Sequence, residues 1–139
     1  VAQQDVVRQL HQQGIGKGLM TEADLHTIHE YMQSELLART GFVFDDLFFC
    51  PDLASVENSC RKPSPAMLLA AIDKWNIDPL QSWMIGDTVS DAKAARAAGV
   101  KAILVGNFTI ESNLPAEYIV PALEDILRQC PLVSETPPL

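Results

Sequence analysis

One tract limits the fold of this chain more than any other. Trp83-Met84-Ile85 is a short apolar run that enters Gly86-Asp87 directly. Asp91–Ala98 is an Ala-rich helical segment closed by Gly99, and Val100–Val105 is a second apolar, β-branched run. A strand, a tight turn, a helix and another strand in that order imply a parallel sheet covered by helices on both faces. Sheets of this kind carry their chemistry beyond the carboxyl ends of the strands. That rule singles out Gly14–Gly18, Cys50–Pro63, Gly86–Asp91 and Gly106-Asn107.

The remainder of the chain keeps the same rhythm. Asp5 reads as a helix N-cap with Val6, Val7 and Leu10 on one face and Gly14 as the stop. A strand through Val6–Leu10 fits less well because its alternation is poor. Gly14–Gly18 is then a flexible loop. Thr21 with Asp24 is a capping signal, and Leu25, Ile28, Met32 and Leu36 recur at helical spacing up to Gly41. Phe42–Phe49, aromatic and β-branched, predicts a strand. Residues 50–63 form a loop, and Ser64-Pro65 opens a helix burying Met67, Leu68, Ala71, Ile72 and Trp75. Asp78-Pro79 breaks the chain. A brief strand at Tyr118–Val120 and a helix over Ala122–Cys130 complete a single domain over 1–130. Residues 131–139, with three prolines, form a frayed tail.

Composition excludes several function classes. The 139 residues include 18 acidic and 10 basic side chains, for a net charge of −8, which argues against nucleic-acid and anionic-membrane surfaces. No apolar run approaches the ~18 residues of a membrane span, and nothing at the start reads as a leader. Three cysteines, Cys50, Cys60 and Cys130, are too few and too odd in number for a disulfide framework, so a reducing cytoplasm is expected. At 47% apolar content the chain is an ordinary globular one.

Two segments carry chemistry. Asp87 and Asp91 project from a strand end, where carboxylate oxygens suit a hard cation such as Mg²⁺ that keeps waters for a phosphate. The plainer alternative is that Asp87 starts a turn and Asp91 caps the following helix. In Cys60-Arg61-Lys62-Pro63, Arg61 offers a planar fork and Lys62 a point charge, both suited to phosphate oxygens, just before a helix start. A solvated basic pair is the plainer alternative there.

The chain resembles the haloacid dehalogenase-like phosphatase superfamily, nearest the branch of histidinol-phosphatase and heptose-1,7-bisphosphate phosphatase. Five blocks in order carry the resemblance: Gly14-Ile15-Gly16-Lys17-Gly18, the Thr21-Glu22-Ala23-Asp24 helix start, Cys50-Pro51, Cys60-Arg61-Lys62-Pro63, and Gly86-Asp87 through Asp91. The resemblance implies a three-layer Rossmann-like fold without a large cap. It also implies Mg²⁺-dependent hydrolysis of a phosphate monoester on a small metabolite, a sugar bisphosphate or histidinol phosphate. By position, Lys62 matches the phosphate-neutralising lysine and Arg61 the substrate-binding arginine. Gly14 and Gly16 fall in the substrate loop, Asp87 matches a Mg²⁺ ligand, and Asp91 supports the lysine or the metal.

Three departures qualify the match. The family's Asp-x-Asp motif, bearing nucleophile and general acid/base on the first and central strand, is absent from the 139 residues, since Asp45-Asp46 lies in the wrong place. The fold is therefore expected to be incomplete at its N-terminus, as a fragment, a shortened relative or an incomplete sequence would be. Leu10-His11-Gln12, or alternatively Ala2-Gln3-Gln4, stands where the family has Thr-Asn-Gln, so the phosphate-binding hydroxyl is lost. The branch's zinc loop is degenerate: Cys50 and Cys60 remain, but Asp52 replaces a histidine and Asn58 a cysteine. The loop is expected to be zinc-free, with Cys50 and Cys60 as plain thiols or packing groups. An impaired phosphatase is thus the first reading. A non-catalytic anion-binding or self-assembling module that associates through the incomplete sheet is the second, and a small redox or zinc-binding protein is the third.

Other residues read as scaffold. His26 and His29, with Glu22 and Glu30, look like a solvated helix face. Trp75 and Trp83 look like core, Cys130 like packing and Arg96 like surface. Gly14–Gly18 lacks the ending of a nucleotide-binding loop.

Overall fold

A computed structural model describes residues 7–11, 13–53, 55–109 and 113–130. The expected Asp5 cap, the alternative alignment at residues 2–4 and the proline-rich tail lie outside them. The chain divides into two compact units, Val1–Ile77 and Asp78–Leu139.

The first unit contains a two-stranded parallel sheet. Strand β1 (Val7–His11) pairs with β2 (Asp46–Cys50), from Val7 opposite Asp46 to His11 opposite Cys50. The helix expected over this tract is therefore a strand. Strands of parallel sheets, covered on both faces, need not alternate, so poor alternation was no argument against one. Strand β1 leads into a single helical turn, α1 (Gln13–Gly16), rather than an open loop, and the Gly18 N–H closes it on the Ile15 carbonyl at 3.0 Å.

Helix α2 (Glu22–Thr40) begins and ends where its signals placed it. Thr21 and Asp24 make a reciprocal capping box, with Thr21 N–H donating to Asp24 Oδ2 at 2.8 Å and Asp24 N–H to Thr21 Oγ1 at 3.1 Å. Gly41, at φ 77°, takes the left-handed cap position and donates its N–H to the Leu37 carbonyl. The buried face is rotated from expectation. Leu25 and His29 are buried while Ile28 is 54% exposed. His29 is thus no solvated residue; its ring packs edge-on against Phe49, with centroids 6.4 Å apart.

The second strand starts four residues later than predicted, for a visible reason. The Gln33 side chain takes both backbone groups of Phe44, accepting from its N–H at 2.9 Å and donating to its carbonyl at 2.7 Å. With its N–H taken, Phe44 has no backbone donor left for a ladder. At the start of β2, Asp46 Oδ2 accepts from Trp75 Nε1 at 2.7 Å and pairs with Lys74 Nζ at 2.6 Å. These contacts fasten β2 to α3 (Ala66–Trp75). Trp75 is 37% exposed, so it is a tether at the surface rather than core.

The second unit is a three-stranded parallel sheet ordered β3 (Trp83–Gly86), β4 (Lys101–Val105), β5 (Tyr118–Val120). Ala102, Ile103 and Leu104 of the middle strand are all fully buried, as a strand covered on both faces requires. Helix α4 (Val89–Ala97) packs on β3 and β4 through Ala92, Ala94 and Ala95, whose small side chains allow close approach. Ile103, Val120, Ile126 and Cys130 form a core against which Trp83, Val105 and Tyr118 lean. Cys130 is a packing group as expected, and burial pushes its thiol pKa up. The expected helix over 122–130 is a 3-10 turn at Leu123–Asp125 followed by α5 (Ile126–Gln129). Strand β3 is only half-buried, with Ile85 43% exposed, because it is an edge strand among the described residues. Arg96 is exposed, as predicted.

Candidate functional site

In the first unit, β2 ends in Cys50, and the chain then folds back on itself before α3. Gly16 sits against this stretch. A Cβ there would collide with the Pro51 carbonyl oxygen and press on Leu53 at 3.2 Å. The requirement for glycine is one of close approach rather than backbone angle. It gives Gly16 a packing role beside the backbone, and Gly14 lies one residue into the same helical turn.

Cys50 and Cys60 are joined by a disulfide, with their Cα atoms 5.7 Å apart. This corrects the expectation of two plain thiols; the pairing was illegible because a cysteine pair at this spacing suits a metal equally well. Asp52 Oδ2 accepts from the Ser59 hydroxyl at 2.8 Å and from the Cys60 N–H at 3.2 Å. Ser59 Oγ in turn accepts from the Arg61 N–H at 3.0 Å. The carboxylate that stands in a metal-ligand position thus organises the turn leading into Arg61. Ligand atoms of Cys50, Asp52 and Cys60 lie within 4.8 Å of one another, so they are grouped as a metal site would be. Bonded sulfurs are not thiolates, however, and a structural zinc site wants four N or S ligands. In this state the donor set does not fit zinc.

Beyond the bridge, the Ser64 N–H closes a turn on the Arg61 carbonyl at 2.9 Å, and α3 starts at Ala66, one residue after the predicted opening. Arg61 and Lys62 therefore stand in the turn that leads into α3, with Pro63, Ser64 and Pro65 between Lys62 and the helix. The Arg61 Nη1 atom is buried and has no hydrogen-bond acceptor among the described residues.

In the second unit, β3 delivers Gly86 and the chain turns through Asp87 and Thr88 into α4. Asp91 is 2% exposed and faces back toward this turn. Its Oδ2 accepts from the Asp87 N–H at 3.1 Å, the Thr88 N–H at 3.1 Å and the Thr88 hydroxyl at 2.9 Å. Thr88 is the N-cap and Asp91 the third helical residue of a capping box. A Cβ on Gly86 would collide with the Asp91 side chain, so glycine here is what lets Asp91 close the loop. Asp87 is left exposed at the strand end.

The two aspartates therefore differ in kind. Asp91 gives its Oδ2 to loop hydrogen bonds, and Asp87 carries an exposed carboxylate of the kind that suits a hard cation keeping most of its waters. Sequence reasoning missed Thr88 and Ser59. Thr88 was findable, because Thr88-x-x-Asp91 repeats the pattern of Thr21-x-x-Asp24. Ser59 carried no signal, since its role depends on the fold of the bridge.

The described residues contain no helix long and apolar enough to cross a membrane. Residues 2–99 match the model of the haloacid dehalogenase-like hydrolase family. The chain is 34% identical over 127 residues to the D-glycero-β-D-manno-heptose-1,7-bisphosphate 7-phosphatase of Haemophilus ducreyi, covering 84% of this chain and 70% of that one. It is 37% identical over 127 residues to the protein of the same name from Escherichia coli K12, covering 84% and 66%. Among solved structures it resembles the D,D-heptose 1,7-bisphosphate phosphatase of B. bronchiseptica, complexed with magnesium and phosphate. The TM-score there is 0.68 at 35% identity, over 73% of this chain and 56% of that one. The chain thus spans between about half and seven tenths of the length of these relatives. A parallel α/β architecture agrees with that kinship, and the chain belongs to the haloacid dehalogenase-like hydrolase family.

Proposed function

We propose that these residues are the phosphate- and metal-handling part of a Mg²⁺-dependent phosphatase acting on a small sugar bisphosphate. The geometric observation that carries the reading is the buried Arg61 Nη1, which finds no acceptor among the described residues. A buried donor of this kind is costly unless a ligand satisfies it, and a phosphate oxygen suits a guanidinium. The substrate class is taken from relatives 34–37% identical that are heptose-1,7-bisphosphate 7-phosphatases.

Each residue then has a role. Arg61 and Lys62 neutralise and orient phosphate oxygens. Gly16 lets the α1 turn pack on the Pro51 backbone, and Gly14, in the same turn, brings backbone to the substrate. Asp87 would hold Mg²⁺ through its exposed carboxylate, and the ion would supply positive charge to phosphate oxygens. Asp91 keeps the Gly86–Thr88 loop in the conformation that presents Asp87, so it positions the ligand rather than acting as one. The pair that would form and break the phosphoryl bond, Asp-x-Asp, occurs nowhere in the 139 residues.

Titration of the purified chain with inorganic phosphate and Mg²⁺ tests this. Binding should be saturable, and Arg61→Ala should weaken it by about tenfold or more, the worth of one charge-assisted hydrogen bond. Absence of binding at millimolar phosphate overturns the reading. A non-catalytic anion-binding module is the second reading. A panel of phosphate monoesters separates the two. Hydrolysis by the chain itself, lost in Asp87→Asn, would exclude the non-catalytic reading.

A further inference from the structure

We propose that Cys50 and Cys60 form a thiol–disulfide exchange site for small thiols and disulfides, in which Cys60 takes the mixed disulfide, Cys50 resolves it, and the bridge orders the turn into Arg61. The inference does not depend on the phosphatase reading. It rests first on asymmetry of access. Cys50, the last residue of β2, is fully buried, whereas Cys60 lies half-buried in the turn. An external reagent meets Cys60 first.

The step balances without a metal. The Cys60 thiolate attacks one sulfur of a small disulfide such as oxidised glutathione, forming a mixed disulfide and expelling one thiolate. The Cys50 thiolate then attacks Cys60 Sγ, forming the Cys50–Cys60 bond and expelling the second thiolate. The protein loses two protons and two electrons, and the small disulfide is reduced to two thiols.

The consequence for the neighbouring cation runs through hydrogen bonds. Asp52 receives Ser59 Oγ–H and Cys60 N–H, and Ser59 Oγ receives the Arg61 N–H. Cys50 Sγ also lies 3.9 Å from Ser59 Oγ. The bridge closes the same small turn covalently, so opening it removes the one bond in this cluster that water cannot replace. Asp52 and Ser59 act as positioning residues for Arg61.

Alkylation of protein purified without reductant, followed by peptide mapping, tests the bridge. Cys130 alone should label in denaturant, against all three cysteines after reduction. Exposure of reduced Cys50→Ala to oxidised glutathione should give an adduct at Cys60, while Cys60→Ala should give at least tenfold less at Cys50 under native conditions. Reduction of the wild-type chain should raise amide exchange at Arg61 at least several-fold. Three free thiols with stoichiometric zinc in protein purified without reductant would overturn the proposal. So would equal adduct formation at both cysteines, or an Arg61 amide indifferent to reduction.

Discussion

Replacing Asp91 with alanine should destabilise the second unit by about 2 to 3 kcal/mol and remove the loop that presents Asp87. The magnitude can be worked from three bonds to one oxygen. Asp91 is 2% exposed, and Oδ2 accepts from Asp87 N–H, Thr88 N–H and Thr88 Oγ1. A hydrogen bond to a charged group is worth about 1.5–3 kcal/mol net when its loss leaves a partner unsatisfied. Asp87 and Thr88 are exposed, however, so water recovers much of what their donors lose. One such bond's worth therefore survives, together with about 0.3–1 kcal/mol for a negative charge in the first turn of α4. Thr88→Ala keeps both backbone bonds and loses the cap hydroxyl, for about 1 kcal/mol. Asp91→Asn keeps an acceptor and loses the charge, and it should fall between wild type and Asp91→Ala.

Urea unfolding of the four proteins gives the order directly. A fifth protein combining Thr88→Ala with Asp91→Ala should cost less than the sum of its parts, because the Thr88 Oγ1–Asp91 bond is removed by either change. A second readout separates stability from function. Mg²⁺ affinity should fall in Asp91→Ala even under conditions where it remains folded, since Asp87 loses its fixed placement. The reasoning is refuted if Asp91→Ala costs under about 1 kcal/mol, or if Thr88→Ala matches it, because the carboxylate would then not be the hub of the loop.

Two other changes probe the first unit. Gly16→Ala should cost about 1–3 kcal/mol in urea unfolding, since its Cβ meets a backbone carbonyl that cannot rotate away; an unchanged midpoint would show that α1 can shift freely. Burial pushes the Asp46 carboxyl up, but hydrogen bonds from Lys74, Trp75 and the Leu47 N–H outweigh it and hold the pKa below its ordinary 3.8. Its stabilising contribution is therefore fully present above that value and is lost as pH falls through the lower folded one. Asp46→Asn should lower stability at neutral pH and flatten the acid limb of a pH–stability profile; an unaltered acid limb counts against the tether.

Legible in the sequence was whatever a few neighbouring residues decide among themselves. The Thr21 box, the Gly41 cap and the entry of β3 into Gly86-Asp87 depend on contacts within one turn, and each stands where its residues imply. The illegible part depends on residues far apart in the chain. Val7–His11 is a strand because β2 lies beside it, and nothing in its own pattern prefers strand over helix. Gln33 ends the reach of β2 toward Phe42 by occupying Phe44 from eleven residues away. His29 is buried because Phe49 covers it, against the expectation for a polar side chain between exposed neighbours.

The candidate site divides along the same line. Asp87, Asp91, Arg61 and Lys62 were recognisable as types at spacings, because a motif is local. Their division of labour was not. Whether an aspartate holds a metal or holds a loop depends on which donors face it, and for Asp91 those donors became visible only once Gly86 let the chain close on it. Asp52 teaches the converse. Read as a failed zinc ligand it is a loss, yet with Ser59 it organises the approach to Arg61 without a metal. A substitution that ends one way of holding a loop can therefore be part of another. Asp52→His is the discriminating change. If Asp52 is only a decayed ligand, histidine should leave the Arg61 turn intact. If Asp52 is the acceptor for Ser59 and Cys60, histidine should loosen the turn, raising Arg61 amide exchange whether or not zinc is supplied.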